Sequence, residues 1–239
     1  MKKIVKRQEP ASFIKFKQEN EKAGVKLRYD TDLGSGERKP IKEALLKEQG
    51  YICAYTLKRI ALTSCHIEHL KPEELCRKHM EEGVTTVSDL DYNNMVACFP
   101  KEAHKGIPNE KYFGAIKKGN TWVNDGKDYI LPLHPNCEDH YEYSKSGGVK
   151  GASEKGENTI ALLALDHLVL IEERKKAIDG FIGIAYPIKK AKTLQAISEI
   201  DKLNNGKFIE FCIPLKHALK EHLVYLERLE KKLKYARKK

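Results

Sequence analysis

The chain has 239 residues, with 44 Lys plus Arg against 34 Asp plus Glu and a formal charge of +10. A hydrophobic fraction of 41% beside 33% charged residues is enough for a packed core and excludes global disorder. No run approaches the roughly 20 apolar residues of a membrane span. The start, Met-Lys-Lys-Ile-Val-Lys-Arg, lacks the apolar stretch of a secretory signal, so a cytoplasmic location is expected. There Cys53, Cys65, Cys76, Cys98, Cys137 and Cys212 are expected as free thiols or metal ligands rather than disulfide partners. The basic excess suits a nucleic-acid partner.

In chain order, Pro10–Ala23 reads as a short helix, with Pro10 in its first turn and Gly24 closing it. Residues 29–39 are turn chemistry, and Pro40–Gln49, followed by Gly50, reads as a second helix. Between Tyr51 and Leu70 the pattern predicts two short strands joined by a loop around Leu57–Thr63, and Pro72–Glu82 a third helix. After Asp91, a candidate cap, Tyr-Asn-Asn-Met-Val-Ala-Cys turns toward helix until Pro100 interrupts it. Residues 106–158 are mostly loop, with one hairpin, His140–Tyr143 and Val149–Ala152 around Ser146-Gly147-Gly148. The last third predicts helices at Thr159–Leu165, His167–Ile178, Thr193–Leu203 and Pro214–Arg237. The final one repeats Leu215, Leu219, Leu223, Leu226, Leu229 and Leu233 as one buried face. There is neither a solenoid repeat nor a Gly-rich phosphate loop, so nucleotide hydrolysis by this chain is not expected.

The densest chemistry lies at Cys65-His66-Ile67-Glu68-His69-Leu70-Lys71-Pro72, at the end of the second predicted strand. Phosphodiester hydrolysis needs a cation to neutralise the phosphate and a base to deprotonate water. Glu68 and His69 supply a carboxylate for the first and an imidazole for the second. Neighbours on an ideal strand face opposite ways, so both serve one site only where the strand twists or ends. Lys71-Pro72 fits such an end. Asn94 follows 25 positions after His69, and His104 ten further on.

This His, Asn, His order resembles the HNH endonucleases. The motifs Cys53-Ala-Tyr-Thr56, His66-Ile-Glu-His-Leu-Lys-Pro72, Asp91-Tyr-Asn-Asn-Met-Val-Ala-Cys98, His104-Lys-Gly106 and Leu131-Pro-Leu-His-Pro-Asn-Cys-Glu138 resemble one subfamily. It is the HNH nuclease of retron and Septu (PtuB-type) anti-phage systems, and the match runs from the start to near Arg174.

The resemblance implies an α+β fold: a small ββα-metal (HNH, His-Me finger) core in a mainly α-helical chain with a C-terminal helical bundle. The corresponding division is a helical lead-in over 1–50, a nuclease region with a loop-rich extension over 51–158, and a helical region over 159–239. It implies His69 as general base, Asn94 as the residue orienting it, and Glu68 and His104 as ligands of a divalent ion, Mg²⁺ or Mn²⁺. Glu102 competes with His104, and Asn93 with Asn94. DNA is the implied substrate and an ATPase the implied partner. The alternative is an HNH-fold adaptor that binds nucleic acid without cutting it.

Many relatives carry two Cys-x-x-Cys pairs around a structural zinc; here Thr56 follows Cys53 and Lys101 follows Cys98 at the second positions. Two thiolates of four remain, so no structural Zn²⁺ is expected. His66 lies on the other strand parity from His69 and is assigned support or substrate contact. Trp122, Tyr129 and Tyr141–Tyr143 offer faces on which bases stack, but packing is the commoner fate of isolated aromatics and they are assigned to it, and Glu138 to a supporting role.

Overall fold

In the computed structural model, residues 1–183 and 187–236 are described. Helix α1 (Ala11–Lys22) follows Pro10 and buries Phe13. A single turn, α2 (Tyr29–Asp32), and then α3 (Ser35–Glu48) occupy the stretch where turn chemistry was expected. Helix α3 begins five residues before Pro40 because the Glu37 carboxylate accepts the Gly34 N–H at 2.9 Å, satisfying a first-turn donor. Pro40 is carried inside the helix.

Of the two strands predicted between Tyr51 and Leu70, only β1 (His66–His69) forms; near Ile52 there is an isolated bridge to Arg59. Its partner is β2 (Met95–Cys98), antiparallel, with His66 opposite Cys98 and His69 opposite Met95. The predicted turn toward helix after Asp91 shrinks to one 3₁₀ turn, Tyr92–Asn94, whose Asn93 N–H the Asp91 carboxylate accepts. Met-Val-Ala-Cys is buried throughout, and a four-residue apolar run with no alternation reads equally as buried helix or buried strand. Tertiary pairing decides it. Gln49 accepts the Ala97 N–H at 2.7 Å and donates to the Ala97 carbonyl at 2.8 Å, and Lys6 donates to the Met95 carbonyl.

Helix α4 (Glu73–Glu81) fills the β1–β2 connection, as its Pro72 start predicts. A long exposed loop then leads to the four-residue α5 (Ala115–Lys118). The hairpin forms as β3 (Tyr141–Tyr143) with β4 (Val149–Gly151). Helix α6 (Glu154–Leu163) starts five residues before Thr159, because Ser153 Oγ accepts the Gly156 N–H. Then come α7 (Leu168–Ile182), α8 (Lys190–Glu199) and α9 (Cys212–Ala236). Arg237, the predicted end of the last helix, lies outside the described residues.

Over the described residues the fold is α+β, helix-rich with two small antiparallel sheets. One continuous buried set runs from Phe13 and Leu45 through Val96 and Ile160 to Leu219. The leucine face of α9 departs from expectation: Leu215 and Leu219 are buried, Leu223 and Leu226 half-buried, and Leu229 and Leu233 exposed. The rest of the fold covers only the first half of that helix.

Candidate functional site

Strand β1 alternates half-buried His66 and Glu68 with buried Ile67 and His69. The chain leaves the sheet at Leu70, and Pro72 starts α4, so the first turn of α4 lies beside the strand end. Glu68 and His69 point from opposite faces of β1 yet line one cavity of about 280 Å³, with Glu73, Arg77, Lys118 and Asn120. The strand end thus brings the expected carboxylate and imidazole together.

His69 is 5% exposed and held on three sides. Its Nε2 lies 2.8 Å from the Asp89 carbonyl, Tyr29 meets the ring edge-on at 4.5 Å, and Nδ1 lies 3.1 Å from Glu73 Oε1. A carbonyl only accepts, so Nε2 carries a hydrogen and Nδ1 is the atom a neutral ring would offer as a base. The Glu73 carboxylate stands beside that nitrogen. The carbonyl is itself anchored: the Asp89 carboxylate accepts the Tyr29 N–H at 3.2 Å and pairs with Arg77 at 3.0 Å.

Glu68 divides its oxygens. Oε1 receives the Lys118 ammonium at 2.7 Å, and Oε2 lies 3.6 Å from His66 Nε2. Lys118 is 3% exposed and also donates to the His69 and Gly119 carbonyls. His66 Nδ1 meets the Pro100 carbonyl. Burial pulls the His66 pKa down, but the hydrogen bond to Glu68 and the Pro100 carbonyl outweigh it and leave it above the ordinary histidine value.

Asn94 is 6% exposed, and its side chain bonds to Lys71 and Cys76 rather than to the imidazole. Its Oδ1 accepts the Lys71 N–H and its Nδ2 donates to the Lys71 carbonyl, both at 2.8 Å, while its own carbonyl accepts the Leu70 N–H. It fixes the backbone two residues beyond His69, and so bears on the imidazole only through the chain. Asn93 is exposed. His104 sits on the exposed loop between β2 and α5, its N–H and carbonyl both bonded to the Tyr112 hydroxyl. Neither His104 nor Glu102 lines the cavity with Glu68. The side chain that reaches Glu68 from beyond β2 is Lys118.

Sequence reasoning missed Glu73, Arg77, Asp89 and Lys118. Only Glu73 carried a signal, since it stands four residues after His69 at a helix start. Glu138 accepts the Lys3 N–H and pairs with Lys2, tying down the first residues of the chain. Among the described residues no three His, Cys, Asp or Glu side chains form a group able to hold a metal. All six cysteines are free and buried. Burial pushes the Cys53 thiol up, but hydrogen bonds from Cys98, the Phe99 N–H and Thr56 outweigh it and bring it to about 6. No helix among the described residues is long and apolar enough to cross a membrane.

No family model matches the chain. A retron Vc95 protein of Vibrio cholerae serotype O1 biovar El Tor, which its name proposes to be an HNH endonuclease, is 27% identical over 181 residues. That alignment takes in 73% of this chain and 80% of the relative. The Septu protein PtuB of Bacillus mycoides (strain KBAB4) is 27% identical over 179 residues, 68% of this chain. The chain spans only 57% of the length of that Septu relative. The chain is thus similar to one protein of a retron system and one of a Septu system, and it carries the His66–Pro72 and Asp91–Cys98 motifs.

Proposed function

We propose that the chain is an HNH-type endonuclease that hydrolyses DNA phosphodiester bonds, working in the cytoplasm with a partner ATPase in an anti-phage system. The observation that carries this reading is His69, its Nε2 hydrogen held by the Asp89 carbonyl and its Nδ1 turned to a cavity that also holds Glu68 and Lys118. In this reading His69 Nδ1 takes a proton from water once Glu73, whose side chain is 29% exposed, has swung away. Asn94 keeps the strand end in register with the phosphate. Lys118 balances Glu68 and lends positive charge to the cavity.

The residues fit a divalent ion sparsely. Glu68 Oε2 is left by Lys118, and among the described residues His66 Nε2 at 3.6 Å is its partner of suitable chemistry. A hard ion such as Mg²⁺ or Mn²⁺ commonly takes one or two protein ligands and completes its shell with water and phosphate. When bound, it would neutralise the phosphate and stabilise the leaving oxygen. His104 joins such a site only if its loop folds inward.

One observation favours the second reading, an adaptor that binds without cutting: Lys118 caps Glu68 and Glu73 caps His69. Incubating the chain with plasmid DNA and Mg²⁺ or Mn²⁺, with and without a partner ATPase, separates the two. The nuclease reading expects nicking that His69→Ala abolishes. Equal nicking by both proteins would sink the mechanism, and binding without nicking in every setting would favour the adaptor.

A further inference from the structure

A second cavity, of about 320 Å³, opens on the other side of the Lys71 backbone, and nothing in the mechanism above uses it. This volume lies at the low end for pockets that take small ligands, roughly 300 Å³ upward. Trp122 forms one wall, and Leu131 and Leu133 give an apolar surface. Lys71, Asp91 and Asn93 supply polar groups.

The indole is held in place. Its N–H donates to Asp125 Oδ1 at 3.2 Å, and Tyr129 meets it edge-on at 5.8 Å. The loop beneath it is wound tightly, with Asn124, Asp125 and Gly126 at φ of 48°, 52° and 75°. A Cβ on Gly126 would lie 2.6 Å from the ring, so only glycine lets the loop approach so closely. Two non-glycine residues held at positive φ mark a conformation the surroundings enforce.

Lys71 is the second independent sign of a ligand. Its side chain is 7% exposed, yet no carboxylate of the described residues lies within hydrogen-bond distance of its ammonium. The partners are His79 Nδ1 at 2.9 Å and Asp125 Oδ1 at 3.9 Å. A buried cation with so little compensation favours an acceptor from a ligand. Asp91 and Asp125 argue against a phosphate there, since both would repel it. They suit the ring N–H and amino donors of a base, as Lys71 suits its carbonyl or ring nitrogen. The pairing edge of every base sets donors beside acceptors, and stacking on an indole tolerates any base.

We propose that this cavity is a base subsite that takes one unpaired nucleobase of the substrate strand, stacked on Trp122. Lys71 follows His69 by two residues, a span of at most roughly 7 Å. The base therefore belongs to a nucleotide beside the phosphate presented to His69. Asn94, clasping Lys71 between the two cavities, keeps them in register. The assignment rests on the nuclease reading for the identity of the ligand.

Trp122 is the only tryptophan of the chain, so its fluorescence reports on this cavity alone. The wild-type protein, with chelator to hold back cleavage, is titrated with a short single-stranded oligonucleotide and with the same strand made abasic. Quenching by the first and little by the second is expected; anisotropy of the same strand carrying a dye, which needs no tryptophan, should show Trp122→Ala binding roughly five- to a hundred-fold more weakly and Trp122→Phe near wild type. Equal quenching by both strands, or none at any strand concentration, overturns the subsite. Cleavage assays in Mg²⁺ or Mn²⁺ run alongside: quenching without cleavage keeps the subsite and removes the nuclease reading, and cleavage without quenching does the reverse.

Discussion

On one side of Lys71, Glu68 and His69 each have an ionisable neighbour within 3.1 Å, Lys118 for the carboxylate and Glu73 for the imidazole. On the other side, the wall is an indole and two leucines, and the buried Lys71 ammonium stands 3.9 Å from its nearest carboxylate. The first cavity is dense with mutually compensated charge, so the loss of any one group leaves another stranded. The second is shaped by packing and tolerates a change of charge better than a change of volume. One backbone hydrogen-bond clasp, Asn94 on Lys71, serves both.

The largest effect is expected at the base. His69→Ala should cost about 10²- to 10⁴-fold in cleavage rate while Trp122 quenching by single strands persists. Loss of both together would show that the two cavities are not separable. Next comes Lys118→Met, which strands the half-buried Glu68 carboxylate. A destabilisation of about 3–5 kcal/mol is expected in urea unfolding, with the Lys118→Met, Glu68→Gln double variant recovering much of it. No loss in the single variant would refute the compensation.

Asn94→Ala leaves the Lys71 N–H and carbonyl without partners, at a cost of about 1–3 kcal/mol for each such group. Cleavage and quenching should fall together, and amide exchange at Lys71 should speed up. If only cleavage falls, the clasp serves the first cavity alone.

The smallest effect lies away from both. His217 on α9 packs against Tyr143, and burial, helped by Lys220, lowers its pKa below the ordinary histidine value. The unfolded chain then binds more protons than the folded one between those two values. Its contribution to stability is therefore full above about 6.5 and declines as pH falls through the lower, folded value. His217→Gln should flatten the melting temperature between pH 7.5 and 5 without touching either cavity; an unchanged slope would exclude His217 as the sensitive group.

Much of this was legible in the chain where chemistry and local rules coincide. The His66–Pro72 stretch announced a strand end carrying a carboxylate and an imidazole, Ser146-Gly147-Gly148 announced a hairpin, and Pro72 announced α4. What escaped depended on partners distant in sequence. Met95–Cys98 is strand because β1 pairs with it. Lys118 reaches Glu68 across 50 positions, and no spacing rule connects them. Arg77 and Asp89, which hold the carbonyl behind His69, look like ordinary surface charges until the fold brings them together. The α9 stripe shows the converse: periodicity predicted a buried face for Leu229 and Leu233 and could not register where the neighbouring helices stop.

The outer side of β2 carries a further consequence. Lys6 takes the Met95 carbonyl, Gln49 takes both the N–H and the carbonyl of Ala97, and Cys53 Sγ accepts the Phe99 N–H at 3.4 Å. Three side chains from separate segments perform what a third strand does in a wider sheet. The two-stranded sheet thus offers no sticky backbone rim along β2 to another copy of itself or to an unfolded chain. Gln49 is the chief guard: shortening it to alanine should reveal itself first as a loss of solubility, before any loss of chemistry.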